Sequence, residues 1–292
     1  FFSESLTGCD PFDLADAHER MSRQIIGNNS AKSAVDIAIH DLAGQISGLS
    51  VSNILGGSHK GPVESSKAVS ANTIDKMVEE AIEFVTTGYK TIKIKTGIDH
   101  QSELLAIKEI RSSVGSAINI KLDANQAWTL AEARNFLGEA ERFNIEMIEQ
   151  PLPAHDIHGH AELRKSISIP VMLDESIHCS RDLLNIIEKN ATDYVNIKLL
   201  KTGGLTPAKE LLAICSAAGI HCQIGSLDSS IGSAAAVNLV HACPIIKYAE
   251  INGPSRFKND FASGFQNING QAVLDVSSGL GIKMNFMESE DE

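Results

Sequence analysis

Three acidic residues each close an apolar run: Asp123 in NIKLDANQ, Glu149 in IEMIEQP and Asp174 in VMLDES. Lysines bracket the series. Lys93 and Lys95 stand two apart in TIKIKTG before it, and Lys198 ends NIK after it. Three carboxylates drawn to one place repel strongly unless a cation sits among them, and hard oxygen donors of this kind suit Mg²⁺. A divalent cation so held would bind a substrate carboxylate and stabilise the extra negative charge left when a neighbouring carbon loses its proton. A lysine on one side removes such a proton and a lysine on the other returns one. Each base must be neutral to act, so its pKa is expected to be pulled down by nearby positive charge.

These residues need a scaffold that makes them converge. From about residue 64, short β-rich runs alternate with helical ones: ESSKAVSANT, KTIKIK, INIKLDAN, IEMIEQP, IPVMLDES, DYVNIKLL, HCQIGS and IIKYAEIN. Eight strands alternating with helices predict βαβ units and a parallel sheet. The polar residues Lys95, Asp123, Glu149, Asp174, Lys198, Gly225 and Glu250 that end seven of these runs follow one another at intervals of 24 to 28 residues. That even cadence, with no GxGxxG loop, predicts a ring of equivalent units, an α/β fold of the (β/α)7β TIM-barrel type. Strand ends converge at one face of such a barrel. Residues two apart on a strand point the same way, so Lys93 and Lys95 both face inward. Lys121, two before Asp123, is expected deeper in the barrel, paired with one of the carboxylates. Lys201, past its strand end, is expected to face solvent or neighbouring acids.

Ahead of the barrel, residues 11–25 and 31–45 carry apolar residues at helical spacing, with Val35, Ile39 and Leu42 on one face. Three segments are expected: 1–62, largely helical; 63–253, the barrel; and 254–292, irregular and closing on the acidic, solvated MESEDE. The chain opens at Phe1 without a signal-peptide pattern, as if partway through a longer protein. Its net charge of -12 argues against nucleic acid and anionic membranes as partners. Five cysteines, an odd number with no CxxC, suit a reduced, cytoplasmic protein, with Cys179 and Cys222 as buried filler.

The stretches KIKTG, LDANQAW, IEQPLPA, MLDESIH and NIKLLKTGGL, in this order and spacing, resemble the muconate-lactonizing subgroup of the enolase superfamily, and most of all its dipeptide epimerases. The resemblance runs from AKSAVDIAIHDLAGQ through IGSLDSSIG to GLGI. It implies Lys95 and Lys198 as acid/base residues, Lys93 as the partner of Lys95, and Asp123, Glu149 and Asp174 as ligands of Mg²⁺. It also implies Asn125 and Gln150 as hydrogen-bonding support. It makes 1–62 the helical remainder of an N-terminal α+β capping domain, 254–292 a return to it, and the substrate a small carboxylate, with a dipeptide inverted at its C-terminal α-carbon. Without the domain's loop-bearing strands an open, wet site is expected. Where dipeptide epimerases carry Asp-x-Asp on the eighth strand, this chain reads Glu250-Ile251-Asn252. Asp228 stands where relatives often have Glu. Glu250, Asn252, Gly225 and Ser226 are therefore the candidate substrate contacts, the last two as small residues leaving room for a ligand.

Other endings of the same half-reaction stay open: muconate-type cycloisomerisation, o-succinylbenzoate synthesis or N-acylamino acid racemisation, and acid dehydration. So does a non-catalytic barrel, and so does a homo-oligomer. His155, His158 and His160 are expected in a surface loop. Gly203-Gly204 is expected to form a tight turn, with a phosphate cradle as the other reading. Trp128 is expected either to wall the pocket or to pack on the barrel rim.

Overall fold

The computed structural model describes residues 2–275 and 277–285, so the acidic end MESEDE lies outside the described residues. Eight parallel strands pair in sequence order, at Lys67–Val69, Thr91–Lys95, Asn119–Asp123, Ile145–Glu149, Val171–Leu173, Tyr194–Ile197, His221–Ser226 and Ile246–Ile251. Helices join each strand to the next, completing the (β/α)7β barrel. The alternation within strands explains both the packing and the site. Ile92, Ile94, Ile120 and Leu122 are fully buried in the hydrophobic core shared with the helices. The intervening Lys93, Lys121 and Asp123 project to the other side, into the barrel.

Local signals set the helix boundaries. Asp99 accepts from Ser102 N at the start of His100–Val114, and Thr129 with Glu132 forms a capping box before Leu130–Ala140. Asn144 and Asn190 end helical segments in left-handed conformation.

The first strand is only three residues long, and the ring is completed by one backbone bond together with side chains. Ser66 N and Oγ donate to Ala249 O at 2.8 and 3.1 Å, Ile251 N donates to Ser65 Oγ at 2.9 Å, and Asn252 Nδ2 donates to Ser66 O at 2.6 Å.

The helix Asn29–Ser47 lies against the barrel, but not through the stripe that marks it as helical. Leu42 is half exposed, whereas Ser33, Asp36, Ile37, His40, Ala43 and Gly44 are buried. A small residue lets the segment after the barrel pack onto this helix: a Cβ on Gly44 would come within 2.9 Å of Leu49 O and meet the backbone of Gly279. Asp36 makes the polar contact. Its carboxylate accepts from Leu205 N at 2.5 Å and Thr206 Oγ1 at 2.7 Å, and His18 Nε2 lies 2.6 Å away. The segment after the barrel runs back to the same region, with Leu280 N donating to Asp41 Oδ1 at 2.7 Å and Gly279 bridging Leu49 and Val51. Val63–Glu64 joins Gln271–Leu274 and Phe265–Ile268 in a small antiparallel sheet.

Burial pushes the Asp36 carboxyl up, but hydrogen bonds from His18, His40 and Thr206 outweigh it and hold it well below the usual carboxylate range. A carboxyl depressed on folding stabilises the fold above its unfolded value and loses that contribution as pH falls through the folded one. Asp36→Asn is therefore expected to lower stability near neutrality by about 1–3 kcal/mol. The gap to the unsubstituted protein should narrow as pH falls below about 4, measured by urea unfolding across that range.

Candidate active site

The register of the sheet aligns the chemistry. Lys95 pairs with Asp123, and Asp123 with Glu149, so three strand-end side chains occupy one row. Gly225 pairs with Glu250 farther round the ring. The second and sixth strands of an eight-membered ring lie across from each other, which sets Lys95 and Lys198 on facing sides of the mouth. Both line a cavity of about 210 Å³ with Ala68, Lys93, Asp123, Asn125 and Glu250.

Burial of the charges is nearly complete. The side chains of Asp123, Glu149 and Asp174 are at most 1% exposed, against 35% for Lys95 and 22% for Lys198. Lys93 Nζ sits 3.1 Å from Asp123 Oδ2, 3.1 Å from Glu149 Oε2 and 2.7 Å from Glu250 Oε2. Burial works against its charge, but those three acids overcome it and raise Lys93 well above the usual lysine range. Lys95 Nζ donates to Asp123 Oδ2 and Asn125 Oδ1, both at 2.7 Å. Lys198 and Lys201 both hydrogen-bond the Asp174 carboxylate. Lys198 is raised: burial lowers it, and Asp174 and Glu149 outweigh burial.

Among the described residues, no three carboxylate, histidine or cysteine side chains are drawn around a common point. The three strand-end carboxylates each turn to lysine instead. Their chemistry nevertheless fits a hard cation: one ammonium already bridges Asp123 and Glu149, and every donor is oxygen. Burial first, and then the charges of Asp123, Asp174 and Glu250, push Glu149 up to about 8 despite Lys93. That carboxylate is short of positive charge, as a divalent-cation ligand would be.

Supporting residues fall close by. Gln150 has a left-handed φ of 38°, and its Oε1 accepts from Asp174 N at 2.9 Å while its Nε2 donates to Ser176 Oγ at 2.8 Å. Asn125, also left-handed, holds Lys95 and donates to Glu175 Oε1 at 3.1 Å. Strain of this kind persists where surrounding bonds over-determine the backbone.

Two candidate substrate contacts are placed differently from the sequence reading. Asn252 does not line the cavity; it accepts from Tyr89 OH at 3.2 Å and donates to Ser66 O at the barrel seam. Gly225 lines the cavity, but the room beside it is taken by the chain itself, since a Cβ there would sit 3.0 Å from both Lys198 Cε and Asn196 Oδ1. Glu250 and Ser226 do line the cavity, with Glu250 already paired to Lys93.

Several expectations are corrected. Lys121 pairs with no strand-end carboxylate: it donates to Gln223 Oε1 at 2.8 Å and lies over the Tyr248 ring, and burial lowers it to about 8. Of the two expectations for Lys201, solvent or neighbouring acids, the second holds: it clamps Asp174 through both its carboxylate and its carbonyl. His158 and His160 lie on the helix Ile157–Ser166 rather than a loop, and His160 is buried beside Gln150 and Leu152 N. Cys179 is exposed, because it precedes a helix on the surface, whereas Cys222 is buried. Trp128 packs on the rim, its ring 4.7 Å from that of Phe136.

Sequence reasoning missed Asn196, whose Nδ2 donates to Glu149 Oε1 at 2.6 Å. Its position two before Lys198 on one strand was the available signal.

Residues 76–289 match the family model described as enolase C-terminal domain-like, and residues 2–56 match the N-terminal domain of mandelate racemase / muconate lactonizing enzyme. The chain is 35% identical to the L-Ala-D/L-Glu epimerase of Clostridium acetobutylicum, covering 97% of this chain and 80% of that one. It is 34% identical to the N-succinyl-L-Arg/Lys racemase of Bacillus cereus, covering 96% and 76%. The structure of the dipeptide epimerase from Enterococcus faecalis complexed with Mg and the dipeptide L-Leu-L-Tyr superposes with a TM-score of 0.93 at 32% identity, covering 97% and 80%.

With both ends of its side chain engaged at the seam, Asn252→Ala is expected to lower the urea-unfolding midpoint, at a cost of about 1–3 kcal/mol with the slope unchanged.

Proposed function

Because the chain belongs to the mandelate racemase / muconate lactonizing enzyme family of the enolase superfamily and is an isomerase of the racemase and epimerase kind, we propose that it epimerises a dipeptide at the carbon α to its carboxylate. The observation that carries this reading is the pair of amines on facing strands of one cavity, Lys95 and Lys198, with buried carboxylates between them.

Asp123, Glu149 and Asp174 would hold Mg²⁺, which supplies positive charge beside the substrate carboxylate and favours its enediolate form. The chain's own groups do the rest. Lys95, partly exposed and steadied by Asn125, reaches an α-proton presented on its side of the cavity. Lys198 delivers or removes the proton on the other face, its stem packed against Gly225. Lys93 stays charged within three acids and adds a fixed cation beneath the developing negative charge. A dipeptide's ammonium would find Glu250, in competition with Lys93.

That competition favours a second reading. With Glu250 neutralised by Lys93 and Asn252 tied into the seam, the cavity grips a free ammonium weakly, and an N-acylated amino acid needs no such grip. The similarity to an N-succinyl-L-Arg/Lys racemase supports this alternative.

Proton exchange in D₂O with Mg²⁺, followed by mass spectrometry over L,L-dipeptides and N-acyl amino acids, tests both. Deuterium at the α-carbon with inversion, abolished by Lys95→Ala and by Lys198→Ala, is the expected result, and the substrates labelled decide between the two classes. Binding of Mg²⁺ with no labelling in either class would sink the epimerase reading.

Gly225→Ala probes the geometry separately. The added methyl forces Lys198 aside in a site where small displacements matter, so inversion should fall on the order of tenfold to a hundredfold, with circular dichroism and Mg²⁺ binding near normal.

A further inference from the structure

The Gly203-Gly204 turn, which in the sequence looks like a cradle for phosphate, holds a carboxylate of the chain itself. Both glycines have positive φ, 99° and 121°, and a Cβ on Gly204 would run into the Asp36 carboxylate. That carboxylate, fully buried, takes the first amides of the helix Leu205–Ala218: Leu205 N at 2.5 Å and Thr206 N at 3.4 Å, with Thr206 Oγ1 at 2.7 Å. It comes from the helix Asn29–Ser47, outside the barrel. The same helix start grips the preceding residues, with Asn29 Nδ2 donating to Lys201 O at 2.6 Å and Ser30 Oγ to Leu200 O at 3.4 Å.

What is gripped matters. The stretch from Lys198 to Thr206 carries the amine of Lys198 at one end and Asp36's partners at the other. Between them Lys201 clamps the carboxylate and carbonyl of Asp174. We propose that Asp36 is a positioning residue for the reaction: by seating the Gly203-Gly204 turn it sets where Lys198 and Asp174 stand relative to Lys95, whose strand Asp36 does not touch.

The proposal rests on the two-lysine reading above, and it predicts a one-sided defect. In Asp36→Asn, and independently in Gly204→Ala, the Lys198 side should shift while the Lys95 side holds. Amide hydrogen exchange reads this directly. Leu205 and Thr206 should exchange about tenfold faster or more, while amides of the Asn119–Asp123 and Ile145–Glu149 strands keep their protection. Catalytically, inversion should fall about tenfold or more, while deuterium uptake with retention persists for the epimer whose α-proton faces Lys95.

Unchanged protection of residues 198–206 in both variants overturns the inference. So does a loss spread evenly over the barrel, or an equal fall in exchange and inversion, since a purely structural role would give either. If the unsubstituted protein exchanges no α-proton, the functional reading fails, and the amide measurement alone decides whether Asp36 seats the turn.

Discussion

Everything at the mouth of this barrel depends on balancing buried charge. Asp123, Glu149, Asp174 and Glu250 meet Lys93, Lys95, Lys198 and Lys201 within one small region, most of them nearly inaccessible to water. Burying even one ion unpaired would cost several kcal/mol. The chain meets this by interleaving signs around the ring, so that each carboxylate has an ammonium partner on its own or a nearby strand. The same interleaving suits a reaction in which one more negative charge appears, since cationic groups already stand beside the carboxylates.

The second organising contact lies outside the barrel. A helix with an ordinary apolar stripe leaves Val35 and Ile39 only partly buried and Leu42 half exposed, and docks through Ile37 with small and polar residues instead. The reach of Asp36 and Asn29 to a barrel helix and the turn before it joins the helical segment to the barrel, while Gly44 lets the segment after the barrel pack close. The residues on the barrel side of that contact are the ones adjoining Lys198.

Much of this could be read from the sequence. Strand ends recur so evenly that the ring, the inward lysines and the row of carboxylates follow from period-two alternation and spacing alone. What stayed hidden depended on contacts between distant segments. Nothing local says that Asn252 turns to Ser66 rather than to the cavity, or that the room beside Gly225 belongs to Lys198. The positive φ of Gln150 is likewise invisible, because it is imposed by bonds to Asp174 and Ser176 from the next strand. The roles of Lys121 and Lys201 turned on burial depth, which alternation does not give. Trp128 is settled locally instead, its place on the rim decided by Phe136 on the helix that follows it.

The seam between the first and eighth strands carries a consequence for how the molecule is made. Ser66 and Ala249 are 183 residues apart in the chain. Every other neighbouring pair of barrel strands is joined directly through its intervening helices, so among the barrel's strand pairs the seam has the highest loop-closure entropy and is the natural last pairing of the ring to form. Until residue 251 has left the ribosome, the first strand has an open edge. Its three-residue length and its serine-rich approach leave little for a foreign strand to pair with. A barrel closed largely by side chains at its most distant strand junction can be built strand by strand and sealed late, with little exposed template for aggregation meanwhile.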